Sequence, residues 1–475
     1  MKKFINRHPF LTVVGSVIFG SVITLAGVMT FLFGFTNSTA NHQTDLNRIA
    51  SVYNQINSNY YRSVDSDKLA TGAINGMLAT LDDPFSDYLT DSDASSLNDS
   101  VAGSFGGIGI QVIKKDGHIE IMSTIDGTPA QKAKLKAGDQ ITKVNGKSVA
   151  NQSLSKTMNA MRGKVGTTVE IELQRGNTTF TKKLKRAKIP VETVTGKMLK
   201  NKVGYITISS VAEKTASELK KNLKKLDQQG AKSYIIDVRN NPGGLMQQAL
   251  KMSSMFLKDG QPIMQVKTRN GKPEVYKASH KLDGGYKVKK PAVVIINGES
   301  ASAAEIFAAA LHQSAGIPLV GAQSYGKGTV QNITQYTDND ELKLTIAKWL
   351  TPDGTWINKK GLKPDYKADY PEMAYITTFN HHKTYQVGQS GTDIKNLQIA
   401  LKDLGYYSGK VTKNYTNDVA QAVKDYQQAN HLAVTGKTDA KTIRSIEQAV
   451  IDALSKSDPA LNKAEQVLAK QNKRV

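Results

Sequence analysis

Residues 8–44 contain no Asp, Glu, Lys or Arg, and 10–35 within them are mostly Leu, Val, Ile, Phe, Gly and Ala. No other stretch restricts the chain so tightly. As a helix rising about 1.5 Å per residue, 10–35 reaches roughly 39 Å, enough to cross a bilayer with some tilt. Lys2, Lys3 and Arg7 precede it, and a basic flank stays on the cytoplasmic side. The sequence predicts a single-pass cell-membrane protein with a cytoplasmic N-terminus and the rest extracytoplasmic. Ser38-Thr39-Ala40 is a passable signal-peptide cleavage site, but the apolar run is longer than a secretory signal needs. A retained anchor is expected.

At 475 residues the chain exceeds one hydrophobic core, so several domains are expected. The absence of cysteine excludes disulfides, Cys-based zinc sites and a thiol nucleophile. A net charge of +22 asks for an anionic partner. Lys and Arg are scattered, with no basic stripe interleaved with aromatics, which argues against nucleic acid. An anionic membrane or wall surface fits better.

The pattern divides into a multidomain α/β and α+β chain. Residues 1–40 are the basic stub and transmembrane anchor. Residues 41–100 read as a helical arm, with Leu46, Ile49, Tyr53 and Ile56, then Leu69, Ala73, Met77 and Leu81, at helical spacing. Residues 101–187 are a small β-rich module, with short strands separated by Asp116-Gly117 and Asn145-Gly146. Strands and helices alternate over 188–375, the mark of an α/β core. Residues 386–450 form a small helical unit, and 451–475 a polar tail, helical or disordered.

Three stretches of the α/β core could carry chemistry. In Gly298-Glu299-Ser300-Ala301-Ser302-Ala303-Ala304-Glu305 a strand gives way to a helix, placing Ser302 at the helix start. Free N–H groups and the positive dipole end gather there, which suits a nucleophile whose attack creates an oxyanion. The same Ser302/Glu305 spacing is also an ordinary capping box. A serine needs a base, and the eight histidines lie in no suitable motif. Lys327, between Gly326 and Gly328, is the alternative. A lysine in water at pH 7 is neutral about once in 2,500 molecules, so burial must bias it by roughly 4–5 kcal/mol. Gln331, four residues on, faces the same side in a regular helix or strand, where its amide oxygen would orient the lysine. Taken alone, Lys327 reads as a solvated surface group. Asp237-Val238-Arg239-Asn240-Asn241-Pro242-Gly243-Gly244 follows a buried strand and precedes a helix, on the strand-end face where α/β sites gather. It is a source of backbone donors, or a plain turn.

Together, YIIDVRNNPGGLMQQAL, INGESASAAEIFAAAL, VGAQSYGKGTVQ and KLTIAKWLTPDGTWINKKGLKPD resemble, in order and spacing, the core of the C-terminal processing (tail-specific) peptidases. LDDPFSDYL resembles the same family's segment ahead of its PDZ domain. The resemblance implies a serine endopeptidase with Ser302 as nucleophile, Lys327 as general base and Gln331 as its orienting partner. Ala303 with Gly243 or Gly244 would form the oxyanion hole. It also implies that the β-rich module is a PDZ domain. There GSFGGIGIQV, at Phe105, Gly106, Gly107 and Ile108, would hold a peptide C-terminus, and Arg162 would couple peptide binding to activation. VGQSGTDIKNLQIALKDLGYY and the residues after it resemble a peptidoglycan-binding domain, with Tyr406 and Tyr407 as glycan contacts or core packing.

The expected function is a membrane-anchored, cell-wall-side serine endopeptidase that captures protein tails, needs no metal or cofactor, and dimerises through its arms. A catalytically silent PDZ scaffold and a peptidoglycan hydrolase are the alternatives; the second finds no zinc ligands or paired carboxylates.

Overall fold

The computed structural model describes residues 43–472 apart from 116 and 337–339. The expected stub and membrane span lie outside the described residues. Among those described, no helix is long and apolar enough to cross a membrane. The described residues divide into two compact units between Tyr88 and Leu89.

The described part of the first unit holds helices at 43–59 and Ser66–Ala79. Asp65 starts the second by accepting from Asp67 N at 3.1 Å and Lys68 N at 3.2 Å. The apolar residues that define these helices in the sequence are largely uncovered: Leu46, Ile49, Met77 and Leu81 are all exposed.

The second unit is built around a six-stranded sheet in the order Val194–Met198, Val203–Ile208, Ser233–Asp237, Ala292–Ile296, Leu319–Gly321 and Tyr366–Lys367. The first pair is antiparallel and the rest parallel. SYIID and AVVII are buried along their whole length, as strands covered on both faces must be. On one face, Ile206, Ile236, Val294 and Ile296 pack against Leu219 and Leu223 of helix Thr215–Gln228 and Phe307 and Leu311 of helix Ala303–Ala315.

The other face departs from the expected polar tail. Helix Pro459–Asn472 lies on it, burying Ala460, Ala464, Val467 and Leu468 against Val203, Ile235, Val293, Ile295 and Val320. Spacings of four, seven and eight residues put these four on one face. Two alanines make the stripe narrow enough to pass for a polar segment.

The small helical unit, with helices Thr392–Asp403, Asn417–Ala429 and Ala440–Ser455, is therefore spliced between the last sheet strand and the back-face helix. Its core contains Leu397, Leu401 and Val423. Tyr406 packs edge-on to buried Tyr426 at 5.1 Å between ring centroids. Tyr407 donates its hydroxyl to Lys410 O at 3.1 Å. Both are partly buried and pack against this core.

The β-rich module has the strand order Ile110–Lys115, His118–Thr124, Gln140–Val144, Thr168–Arg175, Thr178–Lys185, with helix Leu154–Met161 beside the sheet. Ile119, Ile121, Ile141, Val169, Ile171 and Leu173 fill its core. Ile110–Lys115 is an edge strand.

Candidate active site

Ser302 stands where strand Ala292–Ile296 has ended and helix Ala303–Ala315 begins. Its backbone is at φ 53° and ψ −116°, a conformation that costs a residue with a Cβ on the order of 1–3 kcal/mol. An ordinary helix cap is extended, so capping alone does not explain this geometry. Ser302→Gly should raise unfolding stability by about 1 kcal/mol after glycine's own entropy cost, while abolishing hydrolysis. Denaturant titration checks the first part; an unchanged or lower midpoint denies that strain is held there.

The strain is maintained from several sides. Ala301 N donates to Asn241 O at 2.9 Å, and Ser300 Oγ to Val238 O at 2.7 Å. Asn240 N donates to Asn297 Oδ1 at 3.0 Å, and Asn297 Nδ2 returns a bond to Asn240 Oδ1 at 2.8 Å. These bonds lock the serine loop to the Asn240–Gly244 turn. A Cβ built on Gly243 would fall 2.7 Å from Ala301 O, 2.8 Å from Ser302 Cβ and 2.9 Å from Ala303 N. Gly243, at φ 96°, thus keeps clear the space before Ser302 and the Ala303 amide. In this arrangement Gly243 N donates to Asn241 Oδ1 at 2.9 Å. Gly244 lies against Val211, whose carbonyl oxygen would be 2.0 Å from a Cβ there.

Glu305 connects this loop to the lysine. Fully buried, its carboxylate accepts from Ser302 N at 2.9 Å, Gly326 N at 2.8 Å, Lys327 N at 2.9 Å and the Ser324 hydroxyl. Burial raises its pKa, and these four bonds oppose the rise. In the sequence Glu305 reads as the third helical position of a capping box. Three of its partners lie about twenty positions away, where local spacing gives no signal.

Lys327 is half-buried, and its loop is held at every amide. Ser324 N donates to Leu362 O and Tyr325 N to Ser300 O, both at 3.0 Å. Gly326 N and Lys327 N go to Glu305, and Gly328 N to Asn358 Oδ1 at 3.1 Å. Trp349 Nε1 donates to Lys327 O at 2.7 Å.

Gln331 lies in strand Thr329–Gln335, which pairs with Glu341–Leu350 through a register shift between Val330 and Gln331. Lys327 precedes the strand, and the extra residue of the bulge, Ile346, belongs to the partner strand, so alternation along Thr329–Gln335 itself is kept. The Gln331 Nε2 group donates to Thr329 Oγ1 at 2.9 Å and Thr345 Oγ1 at 3.0 Å, which fixes the orientation of its amide.

The segment expected as an open carboxylate-binding turn is the strand Ser104–Gly107, antiparallel to Ala187–Pro190. Val191 N donates to Gly103 O at 2.8 Å. By alternation, the N–H groups of Phe105 and Gly107 face Ile189 and Ala187 within the ladder. Ile108 is buried and accepts from Ala130 N at 2.9 Å, and Gly106 O accepts from Gly163 N at 3.0 Å. Arg162 does meet this strand: its guanidinium lies 4.3 Å from the Phe105 ring centroid. Nearby Asp99 has its pKa raised by burial, opposed by the charges of Arg162 and Lys188.

Comparison with known proteins agrees with this architecture. Residues 202–368 match the model of peptidase family S41, 106–185 a PDZ domain, and 390–446 a putative peptidoglycan binding domain. Residues 33–93 match the N-terminal domain of the activating protease CtpB. The carboxy-terminal processing protease CtpA of Bacillus subtilis (strain 168) is 44% identical over 467 residues, 97% of this chain and 98% of the relative. A probable CtpA-like serine protease of Staphylococcus aureus (strain MSSA476) is 37% identical over 467 residues, 98% of this chain and 93% of that one. Among solved structures, a photosystem II D1 C-terminal processing protease is 29% identical and covers 65% of this chain and 84% of its own, with a TM-score of 0.41. On identity sustained along nearly the whole chain, this protein belongs to the carboxy-terminal processing proteases of peptidase family S41, serine-type enzymes.

Proposed function

We propose that the protein is a membrane-anchored endopeptidase that takes hold of protein C-termini through its PDZ domain and cleaves with a Ser302/Lys327 dyad. The observation that carries this is the buried Glu305 carboxylate, bonded at once to Ser302 N and Lys327 N, each at 2.9 Å. One rigid acceptor thus sets the nucleophile's backbone against that of the lysine.

In the reaction a neutral Lys327 amine takes the Ser302 Oγ proton as the oxygen attacks the scissile carbonyl. Gln331, its nitrogen tied to two threonines, keeps an oxygen for the lysine. The Ala303 amide and the Gly243–Gly244 turn receive the negative charge, with Gly243 N–H exchanging Asn241 Oδ1 for the substrate oxygen. Lys327 returns the proton to the departing amine, and water, activated the same way, hydrolyses the acyl-enzyme. No step calls for a metal or cofactor.

Tail capture is supported by the free side of edge strand Ile110–Lys115, where an extended peptide can add as a further strand. Phe105 to Ile108 would accept the terminal carboxylate once this segment leaves its ladder, and Arg162, stacked on Phe105, would report the change. The uncovered apolar arm residues suit a homodimer, the peptidoglycan-binding domain suits wall contact, and residues 10–35 suit a single membrane span with the catalytic part on the wall side. The test is cleavage of one peptide with a free or an amidated C-terminus. Amidation should lower kcat/KM about tenfold through lost charge-assisted hydrogen bonds; equal cleavage would refute tail recognition.

A further inference from the structure

Asp458 does more than start the back-face helix. Its Oδ1 accepts from Leu461 N at 3.0 Å, and its two oxygens take Arg239 Nη1 at 2.8 Å and Nη2 at 2.6 Å. The other edge of the same guanidinium is held by Asp237, with Nε at 3.1 and 3.0 Å and Nη2 at 2.6 Å. Tyr205 donates its hydroxyl to Asp237 Oδ2 at 2.6 Å. Little of this cluster meets water: side-chain exposure is 4% for Asp237, 13% for Arg239 and 24% for Asp458. A fork-to-fork pair of this kind fixes orientation as well as distance.

Arg239 leads directly into the turn that faces Ser302. Asp237, Arg239, Asn240 and Asn297 border an open pocket of about 560 Å³, with Tyr370 and Tyr375 across from them in its lining. The far part of the turn is held by Val211 N donating to Gly243 O at 2.8 Å, Asn241 Nδ2 to Ile208 O at 2.9 Å and Ala301 N to Asn241 O at 2.9 Å. Its near end, where the chain leaves strand Ser233–Asp237, is held by the Asn240–Asn297 amide pair and by the Arg239 clamp.

We propose that Arg239 and Asp458 are positioning residues for peptide hydrolysis, with the last helix of the chain holding the oxyanion turn in register with Ser302. The peptidoglycan-binding domain lies between Lys367 and Asp458 in the chain. Its C-terminal connection to the catalytic turn, residues 456–458, therefore runs into this ion pair. The inference rests on Ser302 being the nucleophile.

The experiment uses the full-length protein and variants Asp458→Asn, Asp458→Glu, Leu468→Ala and Ser302→Ala, with kcat, KM and thermal unfolding measured for each. Asparagine still caps a helix, so Asp458→Asn keeps the helix start and loses the charge. It should lower kcat about tenfold, the scale of a small misplacement near the reacting atoms, with KM unchanged. Asp458→Glu should recover most of that loss. Leu468→Ala, a buried residue of the same helix, should lower the melting temperature at least as much yet keep wild-type kcat in the folded protein. Wild-type kcat in Asp458→Asn overturns the proposal, as does a kcat loss in both helix variants that merely follows their stability. If Ser302→Ala is inactive and Asp458→Asn is not, only this inference falls; if Ser302→Ala still cleaves, the nucleophile assignment falls with it.

Discussion

Lys327→Ala is expected to reduce peptide cleavage by about 10⁴-fold or more, the scale seen when a member of a cooperating catalytic set is removed. The backbone of residue 327 is fixed independently of its side chain, through Lys327 N to Glu305 and Trp349 Nε1 to Lys327 O. The variant should therefore fold, and the loss should lie in kcat with substrate binding retained. Lys327→Arg should be nearly as inactive, because a guanidinium does not give up its proton in the working range. Single-turnover kinetics on a tail peptide, beside a binding measurement, separates the two effects. A variant that binds and cleaves like the parent would leave the serine without its base.

Gly243→Ala is expected to cost about 10²–10³-fold in kcat, comparable to losing an oxyanion donor. A methyl group there would sit 2.8 Å from Ser302 Cβ and 2.9 Å from Ala303 N, inside van der Waals contact and in front of the amide proposed to bind the oxyanion. The backbone at φ 96° adds strain for any residue with a side chain. Some stability will be lost too, so kcat must be measured well below the melting temperature. Because Gly243 lies outside residues 106–185, which match a PDZ domain, affinity for the tail should persist. Full activity would place the oxyanion elsewhere.

What could be read before folding, and what could not, follows from the range of each interaction. The strand–turn–helix around Ser302 and the alternation of the α/β core are local, so SYIID, AVVII and the alanine-rich helix are legible from pattern alone. Glu305 misleads, because a cap and a scaffold for a nucleophile share the same three-residue spacing. Only Ser324, Gly326 and Lys327, distant in sequence, distinguish them. Ser104–Gly107 looks like a loop because its strand partner, Ala187–Pro190, lies beyond the whole intervening module. The back-face helix hides behind small residues: Ala460 and Ala464 bury well but contribute little hydrophobic signal.

The most direct test of the dyad is covalent labelling of the protein with a serine-directed fluorophosphonate, located by peptide mass spectrometry in the parent and in Lys327→Ala. A Ser302 nucleophile activated by Lys327 gives a single adduct on the peptide containing Ser302, and the adduct disappears when the lysine is replaced. An adduct on another serine, or equal labelling of Ser302 in both proteins, would contradict it.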